Sequence, residues 1–161
     1  MAIVPNRDIG EFLQPAGLGF FSATAGGSGD ATEIDGATVN RATYGMPQSA
    51  LLKIQWVTSL TAAKTLAFTV TLQDSADGSA WSDVTVSDFA SAITVATGAL
   101  TDDEDFWTAR LKLSGLRQYV RAQVKPDLSH TSTDTAIGNF CFILGPGRDT
   151  GLLDAADADN E

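Results

Sequence analysis

The sequence holds one histidine, His130, and one cysteine, Cys141. Nucleophilic catalysis needs a nucleophile with a base held against it. His130 sits in Leu128-Ser129-His130-Thr131, a stretch of turn-forming residues, and no Gly-x-Ser-x-Gly elbow is present. It reads as a solvated loop histidine. Cys141 lies between Phe140 and Phe142 in a strongly apolar stretch, where loss of water disfavours a thiolate. It reads as a small core residue. A lone cysteine also rules out an internal disulfide and any multi-cysteine zinc or iron–sulfur site.

Carboxylates are the remaining candidates. Asp102, Asp103, Glu104 and Asp105 precede Phe106 and Trp107, and glycosidases need only two acids. Neighbours on an extended chain point to opposite faces, so the run reads as a solvated acidic loop. Neither this cluster nor Asp74 with Asp77 matches the twelve-residue calcium loop. The glycine-rich segment 25–30 lacks the Gly-Lys-Ser or Gly-Lys-Thr of a phosphate cradle. Ser75-Ala76-Asp77-Gly78-Ser79-Ala80-Trp81 resembles an Asp-box turn but is one residue short and occurs once. An aromatic that staples a hairpin turn explains it. Trp56, Trp81 and Trp107 keep a sugar-stacking module as an alternative. The expectation is therefore no catalytic, cofactor or metal site, and no enzyme.

The elements that carry these residues are strands. Leu52, Ile54 and Trp56 alternate with Lys53 and Gln55; Leu66, Phe68, Val70 and Leu72 alternate with Thr65, Thr69, Thr71 and Gln73. A period of two means half-buried strands, and these two are expected to pair as a hairpin. Asp77-Gly78 predicts a turn into a second hairpin through Trp81 and Val84. Trp107, Ala109, Leu111 and Leu113 fall on one face, with Arg110 and Lys112 on the other. Residues 118–124 alternate again, and 137–144 form an almost wholly apolar strand expected to be buried on both faces. Phe20-Phe21 marks a first strand. Seven or eight strands between Gly, Pro and Asp turns, with no convincing long amphipathic helix, predict an all-β fold. The expected architecture is an antiparallel β-sandwich, jelly-roll-like, as a single domain.

The 161 residues suit one domain, read as an N-terminal arm at 1–15, a sandwich at 16–148 and an acidic tail at 149–161. The arm carries Ile3, Val4, Arg7, Ile9, Phe12 and Leu13 without a sustained period; so many apolar groups on a loose end call for a surface to dock on. Ten Lys plus Arg against twenty Asp plus Glu give a net charge of -10, which argues against nucleic acid as a partner. No apolar run approaches the ~20 residues that cross a bilayer, and the start lacks the pattern of a secretory signal. Synthesis in a cytoplasm and no membrane partner are the expectations.

Residues 51–84, with Leu66-Ala67-Phe68-Thr69-Val70-Thr71-Leu72-Gln73-Asp74-Ser75 running into Asp77-Gly78-Ser79-Ala80-Trp81-Ser82-Asp83-Val84, resemble the cement, or decoration, proteins of tailed-bacteriophage capsids. The resemblance covers about a fifth of the chain. It implies a β-sandwich or jelly-roll module, assembled as a homotrimer on the outer surface of the virion and bound to the major capsid protein. On that reading the arm residues lie along a capsid subunit, and Phe20, Trp81 and Trp107 are the aromatics for self-association or ligand contact. The shell is stabilised against internal DNA pressure without catalysis or cofactors. A tail or head-completion protein and a carbohydrate-binding β-sandwich are the alternatives.

Overall fold

The structure is a computed structural model that describes residues 13–89, 91–129 and 133–145. Its strands are β1 (Gln14–Thr24), β2 (Ile34–Asp35), β3 (Val39–Asn40), β4 (Ser49–Leu60), β5 (Thr65–Ser75), β6 (Ser82–Val84), β7 (Ile93–Thr97), β8 (Leu100–Lys112), β9 (Tyr119–Leu128) and β10 (Thr135–Leu144). They form two antiparallel sheets. The first has the order β1-β10-β4-β8; the second is six-stranded, β2-β9-β5-β6, with β3 also on β9 and β7 also on β5. The chain passes repeatedly from one sheet to the other, so spatial neighbours are distant in sequence. This is an all-β antiparallel sandwich, as the alternation predicts.

The period-two pattern of each strand becomes an inner and an outer face. Leu52, Ile54 and Trp56 of β4, Leu66, Phe68, Val70 and Leu72 of β5, and Val120, Ala122 and Val124 of β9 are all buried. Aromatic rings lock the two sheets together. Phe68 of β5 meets Phe21 of β1 edge-on at 5.3 Å and Trp56 of β4 at 5.5 Å. Gly138 of β10 leaves the space that the Phe21 ring occupies: a Cβ there would run into the Gln55 carbonyl oxygen and the Phe21 ring.

Three sequence expectations are corrected. β4 and β5 do not pair as a hairpin: they lie in opposite sheets and face each other across the core. Alternation specifies which side chains point inward, and that condition is met equally by neighbours in one sheet and by strands facing across two. The connection is pinned by buried Asp134, whose carboxylate accepts hydrogen bonds from Thr61 N at 2.9 Å and Thr61 Oγ1 at 3.4 Å. Second, the acidic run 102–105 is strand and not loop, continuous with β8 and paired with β4 as Glu104↔Val57 and Asp105↔Trp56. Third, β10 is buried on only one face: Ala136, Phe140, Phe142 and Leu144 are inside, whereas Ile137 is 59% exposed.

The expected Asp77-Gly78 turn joins β5 to β6, whose register includes Leu72↔Val84 and Asp74↔Ser82. Gly78 has φ 77°, which its lack of a Cβ allows. Asp77 accepts hydrogen bonds from Ser79 N and Ala80 N, both at 2.9 Å, and from the Ser75 hydroxyl. Those donors hold the Asp77 carboxyl well below the usual carboxylate range.

Candidate functional site

The outer faces of the two sheets differ in chemistry. On the second sheet, the outward face carries a bonded polar network: Arg121 bonds Gln73 at 2.8 Å and Asp35 at 3.0 Å, Gln123 reaches Asp35 at 2.6 Å, and Gln73 reaches Asp83 at 2.7 Å. That surface is suited to water. On the first sheet, the outward rows follow from the registers. One row is Pro15, Ile143, Leu51 and Arg110; the next is Gly17, Cys141, Lys53 and Thr108; then come Phe20, Asn139, Gln55 and Phe106, and Ser22, Ile137, Val57 and Glu104.

Among the described residues the exposed large hydrophobics are Leu13 at 42%, Phe20 at 81%, Val57 at 37%, Phe106 at 57% and Ile137 at 59%. Phe20, Val57, Phe106 and Ile137 lie in these outward rows. Leu13 lines a groove of about 350 Å³ at the end of the same face, with Leu51, Arg110 and Ile143. Scattered apolar residues on a surface are ordinary; a contiguous set on one sheet face marks an interaction surface. Covering it would recover ~25 cal/mol for each Å² of apolar area removed from water.

Phe20 faces outward because of a bulge. The β1–β10 register shifts between Gly17 and Gly19, so Ala16 and Leu18 point inward before it and Phe21 and Ala23 after it. An extra residue inverts the alternation. Without it, Phe20 would be buried and Phe21 exposed.

Charge on this face is confined to β8 and its neighbour β4. Arg110, Lys112 and Lys53 stand at one end; Glu104 and Asp102 stand at the other, where Asp102 also bonds the Ser59 hydroxyl at 3.1 Å. The Lys53 ammonium lies over the Phe106 ring at 5.0 Å and donates to Gln55 at 3.0 Å.

The expected site residues are distributed unevenly. Of the arm set, Ile3, Val4, Arg7, Ile9 and Phe12 lie outside the described residues, as does His130; Leu13 reaches the apolar face. Of the aromatics, Phe20 is on that face. Trp81 is half-buried on the polar side with the Arg121 guanidinium 4.5 Å from its ring centre, and half-buried Trp107 packs on Phe89 at 6.0 Å. Trp56 is core, 2% exposed. Cys141, read as core, is half-buried on the outer face beside Lys53. Partial burial pushes its thiol pKa up, against a smaller opposing pull from Lys53.

Sequence reasoning missed Phe106, Ile137 and Val57 as surface residues. The signal was present: a strand such as β10, apolar at both parities, calls for cover on both faces, and the described residues cover only one.

Elsewhere, polar burial is structural. Arg41, 1% exposed, donates to the carbonyls of Leu116 at 2.5 Å, Arg117 at 3.0 Å and Pro47 at 2.8 Å, tying the segment before β4 to the β8–β9 loop. Asp74 accepts from Arg117 N at 2.9 Å and Nε at 2.8 Å. Burial pushes its pKa up, but the Arg117 hydrogen bonds and charge outweigh this and leave it lowered. Among the described residues no group of three or more His, Cys, Asp or Glu is disposed to hold a metal ion, and no helix is long and apolar enough to cross a membrane. No protein-family model matches the chain, and no curated protein matches it significantly.

Proposed function

We propose that this chain is a non-enzymatic structural protein of a tailed-phage virion, which binds the major capsid protein from outside and stabilises the shell by bridging its subunits. The observation that carries the reading is the apolar outer face of the first sheet, which the other described residues leave exposed on an otherwise well-packed sandwich. Such a surface suits protein–protein assembly. The resemblance over residues 51–84 adds the capsid. Self-association through the sandwich would leave the arm residues Ile3, Val4, Arg7, Ile9 and Phe12 to lie on a shell subunit, and several linked arms would bind more tightly than one. Sugar stacking has less support: Trp56 is core, Trp81 carries Arg121 on its ring, and Trp107 packs on Phe89.

The test is protection of expanded phage shells against heat and chelator at saturating protein. Bound shells should disassemble at a higher temperature than bare ones. Absence of binding to the shells would refute the reading.

A further inference from the structure

We propose that the apolar outer face of the first sheet is covered by the same face of a second copy of this chain, in a two-fold pairing that sets the acidic half of β8 against the basic half of its partner. This rests on the structural-protein reading but puts a two-fold pair in place of the homotrimer that the resemblance implies, and it is tested without shells, so its failure leaves shell binding standing.

The occupant follows from the arrangement of charge. Along β8 the outward residues run Asp102, Glu104, Phe106, Thr108, Arg110 and Lys112: acid, then an aromatic centre, then base. Lys53 on β4 extends the basic half, whereas the outward residues of β1 carry no charge. Two such faces can be stacked about a two-fold axis in the interface plane in two ways. An axis parallel to the strands lays β8 over the uncharged β1 and pairs no charges. An axis across the strands, through the row of Phe20, Asn139, Gln55 and Phe106, lays β8 over β8. That second arrangement brings Arg110, Lys112 and Lys53 of each copy to Asp102 and Glu104 of the other, twice. The surface is therefore self-complementary, as an isologous contact requires.

Size and polarity agree. Four strands about 4.8 Å apart, with some ten residues each at about 3.4 Å, cover on the order of 650 Å² per copy. Two copies together reach about 1,300 Å², within the range of specific interfaces. Ile137 and Ile143 of β10 with Val57 and Leu51 of β4 supply apolar area on either side of Asn139 and Gln55, and the charges lie towards the β8 side. Pairing also supplies the second cover that the composition of β10 calls for, over Ile137, Cys141 and Ile143. The polar, internally bonded face of the second sheet offers none of these features.

Light scattering of the full chain across a concentration series should give twice the 16.8 kDa chain mass, falling towards one chain on dilution and at high salt. Reversing the acids (Asp102→Lys with Glu104→Lys) should give single chains, and reversing the bases (Arg110→Glu with Lys112→Glu) should do the same. Mixing the two variants should restore a mass of two chains. Phe106→Asp should also give single chains, while Thr69→Asp on the opposite face should leave the pair intact; circular dichroism checks that each variant is folded. The single thiol of Cys141 provides a second readout, with maleimide labelling slower in the pair than in the reversed variants. A native mass of one chain at every concentration, as expected if residues 1–12 of the same chain cover the face, overturns the proposal. So does a mass of three chains, the state implied by the capsid resemblance, or a mixture of the reversed variants that fails to reassociate.

Discussion

At Gly138 the core has no room for a methyl group, because the Gln55 carbonyl and the Phe21 ring already occupy the space a Cβ would take. Gly138→Ala should therefore destabilise the fold by about 1–3 kcal/mol. A thermal melt followed by circular dichroism should show the midpoint drop by roughly 2–4 °C per kcal/mol. Asp74 sets a pH dependence instead. Its folded pKa lies below the ordinary value of 3.8, so the stabilisation it contributes is fully present above that value and is lost as pH falls through the lower folded pKa. Asp74→Asn should be less stable than the native chain at neutral pH, and the gap should close in strong acid. Urea midpoints measured from neutral to acidic pH check this; a gap that stays constant would count against the Asp74–Arg117 pair as its source.

Among the elements, the joints between strands depend on a few polar side chains. Arg41 uses its planar fork to bind carbonyls from Pro47, Leu116 and Arg117 at once, and so holds the entry to β4 against the exit of β8. A lysine places a single ammonium there and cannot span the same acceptors. Arg41→Lys should cost about 1–3 kcal/mol, as buried carbonyls lose donors, and should speed hydrogen exchange at Leu113 and Ser114, whose amides bond Gln48 O. Unchanged exchange at these amides would show that the joint holds without the guanidinium. The β1 bulge acts at the same scale: it directs Phe20 to the surface, so the aromatic available for contact depends on one inserted residue.

For the whole molecule, the two outer faces divide the roles. The second sheet meets solvent with a bonded polar network, and the first presents apolar side chains that the described residues leave exposed. Because β1 begins at Gln14, paired with Leu144, a chain lacking residues 1–12 retains every rung of that strand. Its melting temperature should match the full chain within about 2 °C, as for changes outside the packed core, while its binding to expanded shells should be lost or severely weakened. Loss of thermal stability together with binding would instead place the arm in the fold.

The Asp77-Gly78 pair marked the turn after β5, and residue periodicity marked β4, β5, β9 and the second half of β8 with their inward sets, since alternation alone decides which side chains share a face. It also marked β10 as doubly apolar. What it could not decide was partnership. Two alternating strands joined by a short turn satisfy the same pattern as a hairpin or as facing layers, and only the tertiary structure placed β4 and β5 in separate sheets with Trp56 against Phe68. The register did the rest: hydrogen-bonded pairings between residues far apart in sequence, with one bulge in β1, brought Phe20, Phe106, Ile137 and Val57 onto a single exposed face. No local window of sequence contains that surface, because a sheet face is assembled across strands and not along them.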